Sequence, residues 1–147
     1  MTGLIPSGEK FPDRALQLAA RLLPSLSLTG PIELEMLAEL DRSILERVME
    51  SGESFLSLLR PDFIEPLLAY VGESVRKRID CEWRMDYNEG ETWVPWLVQE
   101  NAKDIVWYNI SRVVLMIYDA TEEDFAIEAA TDWFLRRPVD RPDCGLC

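Results

Sequence analysis

The chain has 147 residues, 48% of them hydrophobic and 29% charged, with a formal net charge of −12 and no histidine. That is the size of one domain with a core large enough to fold without disulfides or metal. The acidity argues against direct binding to nucleic acid or an anionic membrane surface, and the missing histidine removes the commonest general base and most catalytic zinc sites.

Residues 1–12 read as a loose lead-in with Pro6, Gly8 and Pro12. A first helix is predicted from about Asp13 to Leu23, with Asp13 as its capping residue and Pro24 as its stop. Pro31 suits the first turn of a second helix. Ile32, Met36, Leu37, Leu40, Ile44, Leu45 and Val48 keep helical spacing up to about Glu50, and Ser51-Gly52 breaks it. Ser54 to Leu59 is a short helical turn. A third helix is predicted from about Asp62 to Ile79, with Pro66 tolerated near its start and Arg76-Lys77-Arg78 set against its dipole.

The period then changes. Cys81, Trp83, Met85 and Tyr87 alternate with Glu82, Arg84 and Asp86, the pattern of a half-buried strand. Asn88 to Glu91 is a four-residue turn and Thr92 to Val98 a second strand. Pro95 cannot donate to a ladder, so one side of that strand is expected to be an edge. Asp104 to Tyr108 is a candidate third strand. Two helices are expected to follow, about Asn109–Tyr118 and Thr121–Leu135, the latter opened by a capping box at Thr121-Glu122-Glu123-Asp124. Residues 137–147 read as an irregular tail. The expectation is an α+β domain spanning 1–147: N-terminal helices, a small antiparallel hairpin or three-stranded sheet over about 81–108, and two C-terminal helices.

The charge is uneven. Residues 80–132 hold thirteen acids against three bases, a net of −10, while the rest of the chain holds fourteen acids and twelve bases. The same window holds four of the five tryptophans, 83, 93, 96 and 107, and the fifth, 133, directly follows it. Trp93, Pro95 and Leu97 point to one face of the second strand and Val94, Trp96 and Val98 to the other. With both faces apolar, one is expected to be exposed, an aromatic patch ringed by acids. The candidate partner-binding residues are therefore Trp93, Trp96, Glu82, Asp86, Glu89 and Glu91. Tryptophan stacks on arginine, and carboxylates take its bidentate bond.

Other motifs carry less. Cys144-Gly145-Leu146-Cys147 is half a zinc site without a second half, and no helix follows to activate a redox pair. It also stands at the prenylation position, without a polybasic lead. Glu122, Glu123, Asp124 and Glu128 match no calcium loop and suit the first turn of a helix. Residues 1–6 lack the basic and apolar stretches of a signal peptide, the longest apolar run, Val113 to Tyr118, is too short to span a membrane, and three cysteines make no disulfide framework. A cytoplasmic location is the expectation.

Tyr70-Val71-Gly72-Glu73-Ser74-Val75-Arg76 followed by Cys81-Glu82-Trp83 resembles a pattern in small uncharacterised bacterial domains of helix–hairpin–helix type. In these a helix carrying Gly-Glu leads into a strand with a Trp, then a second strand and a helix. Some of them resemble immunity proteins of bacterial toxin systems. The resemblance covers about residues 70–118, departs where Asp80-Cys81 replaces a Gly-rich turn, and assigns no functional residue. Together these readings point to a non-enzymatic acidic protein-binding domain, an immunity or inhibitor protein for a basic partner such as a toxin. No cofactor or metal is expected. The alternatives are a structural subunit of a homo- or hetero-oligomer, and a small enzyme or metal protein using carboxylates or cysteines.

Overall fold

Every residue from Phe63 to Val75 is buried, so the helix that carries them is the axis of the molecule. The computed structural model describes residues 3–87, 92–101 and 103–142. In chain order the helices and strands are α1 (Phe11–Ser25), α2 (Leu37–Ser51), α3 (Pro61–Arg76), β1 (Glu82–Tyr87), β2 (Trp93–Glu100), β3 (Ile105–Tyr108), α4 (Arg112–Asp119) and α5 (Ile127–Leu135). The architecture is α+β, with one antiparallel three-stranded sheet in the order β1-β2-β3. Among the described residues, no helix is long and apolar enough to cross a membrane.

The N-terminal boundaries differ from expectation for local reasons. α1 starts at Phe11 rather than Asp13: Pro12 fits the first turn, where no intrahelical N–H is needed. Asp13 therefore sits inside the first turn rather than at the cap. The lead-in is held, not loose. Ser7 donates its N–H (3.0 Å) and its hydroxyl (2.7 Å) to the buried carboxylate of Glu65, and Arg14 donates to the Ser7 Oγ. A 3-10 turn at Leu34–Met36 leads into α2, which ends on Gly52 in the left-handed conformation, φ 72°, with its N–H on the Val48 carbonyl. A residue without a Cβ is favoured there.

α3 packs on α1 through Phe11, Ala15, Leu18, Ala19 and Leu22, all buried. It begins at Pro61 and runs through Pro66, its sixth residue. Burial of both flanks offsets the missing hydrogen bond at that proline. Tyr70, also in α3, donates its hydroxyl to the Pro31 carbonyl at 2.7 Å, which ties down the turn before α2.

α5 starts six residues later than the capping box implies. Thr121 closes a local turn instead: its N–H and hydroxyl both donate to Asp124 Oδ1, holding the Asp124 carboxyl below the ordinary carboxylate range. Phe125 is then buried and stacked on Phe55 at 4.9 Å. That contact takes the chain out of the helix, with Ala126 extended at φ −159° and ψ 102°. The true cap comes from α2: Asp41 accepts the N–H groups of Ile127 (2.5 Å) and Glu128 (3.1 Å). Burial raises the Asp41 carboxyl above its ordinary value, although both N–H bonds pull the other way. Asp41→Ala is expected to lose about 1–2 kcal/mol of stability by urea unfolding, the usual loss for a capping side chain. Asp41→Asn, which keeps an acceptor, is expected to lose about half of that.

Candidate interaction surface

The sheet register decides which predicted site residues share a face. Glu82, Arg84 and Asp86 of β1 stand opposite Val98, Trp96 and Val94 of β2, and Val98 stands opposite Trp107 of β3. These residues form the outer face. Trp83, Met85 and Tyr87 stand opposite Leu97, Pro95 and Trp93, and with Val106 and Tyr108 they form the inner face toward the helices. Trp93 and Trp96 therefore lie on opposite faces and cannot form one patch.

The expected exposed tryptophan strip is corrected by burial. β2 is the central strand, and Val94 through Val98 are all buried, with Trp96 at 0% exposure. Trp107 packs edge-on against Trp96 at 6.0 Å, and Arg84 lies over the Trp107 ring at 5.6 Å. The chain end joins in: Val139 exchanges two backbone hydrogen bonds with Trp107, so the predicted irregular tail closes the β3 edge. Pro95 lies in the half of β2 that β3 does not reach, since β3 pairs only with Leu97–Glu100. A residue without an N–H is tolerated at such a place.

The acids are where solvent can reach them. Glu82 and Glu100 are exposed and Asp86 is half-buried, all on the outer sheet face, while Glu89 and Glu91 lie outside the described residues. Arg84 pairs with Glu100 at 3.3 Å. Trp93 is half-buried on the inner face, its ring 4.9 Å from that of Tyr87, which is 54% exposed. Beyond the sheet, Asp80, Asp104, Asp119, Glu122, Glu123, Asp124, Glu128 and Asp132 are also exposed. Within residues 80–132, only Glu100 and Asp132 form an ion pair among the described residues.

The exposed tryptophan is Trp133, at 38%. Its ring carries the guanidinium of Arg112 at 4.0 Å and of Arg137 at 4.5 Å, so cations of the same chain already occupy it. It lines a groove of about 280 Å³ with Leu115, Met116, Asp119 and Asp124. Among the described residues, no group of three or more cysteine or acidic side chains could hold a metal ion.

Sequence reasoning named Gly72-Glu73 and Trp83 without giving them a task. They form one packed unit, with Gly72 and Glu73 buried and Trp83 half-buried over them. The Trp83 indole N–H donates to Glu73 Oε1 at 3.3 Å, Arg76 donates to both Glu73 oxygens at 3.0 Å, and Arg76 Nε donates to the Cys81 carbonyl at 3.2 Å. The Arg76-Lys77-Arg78 run is thus only partly a helix-dipole feature, because Arg76 neutralises a buried carboxylate. The pairing of a helical Gly-Glu with a tryptophan ten residues on was its signal in the sequence.

Cys81 closes this unit and is itself buried. Burial pushes its thiol from the ordinary 9.0 up to about 11, and the nearby acids add to burial against the opposing pull of Arg76. The unfolded thiol therefore ionises first, and stability falls as pH rises from about 9 to 11, by about 2–3 kcal/mol in all. In a Cys144→Ser/Cys147→Ser variant, Cys81 is expected to resist iodoacetamide at pH 8 until denaturant is added. Rapid labelling of the native protein would contradict this placement. Cys144 and Cys147 lie outside the described residues.

No family model, no curated protein and no solved structure matches this chain.

Proposed function

We propose that this is a non-enzymatic domain that binds a basic protein, in the manner of an immunity protein or inhibitor that neutralises a toxin. One observation carries the reading: the described acids of residues 80–132 are held at the surface largely without cationic partners among the described residues, near a sheet most of whose aromatic residues are used for packing. Exposed, unneutralised acids repel one another and destabilise the domain that bears them. A cationic partner removes that repulsion on binding and is steered toward it before contact. The docking residues proposed are Glu82, Asp86 and Glu100 on the outer sheet face, with Trp93 and Tyr87 at the hairpin end. Trp96 supports the face from beneath and makes no contact itself.

The test is titration of the chain against the basic product of a neighbouring gene, with and without Glu82→Lys/Asp86→Lys. Binding that weakens at least tenfold on charge reversal, and weakens steeply with salt, supports the reading. Binding indifferent to both charge reversal and salt overturns it.

A further inference from the structure

The two edges of the sheet are unlike. The β3 edge is closed by Val139, whose backbone exchanges two hydrogen bonds with Trp107. At the other edge, β1 pairs only with β2, and among the described residues no other main-chain hydrogen bond reaches Glu82–Tyr87. A six-residue strand with one open side is a template for another strand, because its outward N–H and C=O groups have no fixed partner.

The side chains say which strand. Glu82 and Asp86 flank Arg84 on the outer face of β1. Arg84 reaches across the sheet, pairing with Glu100 of β2 and lying over Trp107 of β3, so its charge is spent away from the open edge. The edge is left with two carboxylates four residues apart, one exposed and one half-buried. Directly opposed unlike charges stabilise a strand pair, and like charges oppose it. A second copy fits poorly: antiparallel pairing centred on Arg84 sets Glu82 against Asp86 twice. We propose that β1 is completed by an extended basic segment of a partner protein, with lysine or arginine at alternate positions opposite Glu82 and Asp86. This rests on the reading above and names the contact it would use.

The probe is a capped heptapeptide of alternating lysine and valine. Its control carries N-methyl groups on two successive central residues, which removes N–H groups from both of its edges while keeping its charge. The expected result is binding of the first peptide, with slowed amide exchange across Glu82–Tyr87, and at least tenfold weaker binding of the methylated one. Glu82→Lys/Asp86→Lys, checked for a native circular dichroism spectrum, is expected to weaken binding about tenfold. Equal binding of both peptides, with β1 exchange unchanged, overturns the edge pairing and leaves the acidic-surface reading standing. Binding of neither peptide at low salt counts against both. Slowed β1 exchange that grows with protein concentration in the absence of peptide makes a second copy the occupant and overturns the proposal.

Discussion

Gly72→Ala is expected to destabilise the protein by about 3 kcal/mol, although alanine is the better helix former. At an exposed helical position this exchange gains about 1 kcal/mol. Here a Cβ would fall 2.0 Å from Cη2 and 2.2 Å from Cζ2 of Trp83, and 2.9 Å from Cδ1 of Ile110. An indole cannot yield by a fraction of an ångström against these contacts; it must leave. Leaving breaks its bond to Glu73 and its edge-on contact with Phe11 at 4.9 Å. It also strips the buried Glu73 of one of its donors. The measurement is a double-mutant cycle by urea unfolding. Trp83→Leu alone is expected to lose about 2–4 kcal/mol, and in that background Gly72→Ala is expected to be neutral or stabilising. A Gly72→Ala protein that melts above the parent would show that Trp83 does not lie on α3 at this point.

This unit marks how far the sequence is legible. Local spacing, composition and capping signals located all five helices and the first two strands and offered the third, Ile105–Tyr108, as a candidate, because these are local properties of the chain. Boundaries set by tertiary contact were not local. The start of α5 depends on Phe125 meeting Phe55 and on a carboxylate from α2, Asp41, which lies 86 positions before Ile127. No window along the chain contains that pair. The lead-in was misjudged for the same reason, since Ser7 is fixed by Glu65, 58 residues on. The charge asymmetry was legible by counting, and ten of the eleven described acids in it are exposed. The candidate site was legible only in part. Alternation correctly divided β2 into two apolar faces, but it does not say whether a strand is central or marginal. Pro95 pointed to an edge, and it is an edge only for the half of β2 beyond the reach of β3.

Trp96→Ala is expected to lose about 3–5 kcal/mol, the range for removing a large aromatic side chain from a packed core. For a domain of this size that lowers the melting temperature by about 10 °C or more. Trp96 has no exposed surface and packs on Trp107, so nothing else fills the space its ring leaves. Trp93→Ala removes a half-buried ring and is expected to lose less than half as much. Trp96→Phe separates volume from polarity. The Trp96 indole N–H is buried and has no hydrogen-bond partner among the described residues, so phenylalanine gives up volume but removes a donor unsatisfied by them. The two effects oppose each other, and the expected net change is about 1 kcal/mol or less. Thermal and urea unfolding of the three variants, followed by partner titration of those that fold, decides between a core residue and a contact residue. A core Trp96 makes Trp96→Phe nearly silent in both stability and binding. A contact Trp96 makes Trp96→Ala stable and unable to bind, and that result would return the outer sheet face to an aromatic site and not an acidic one.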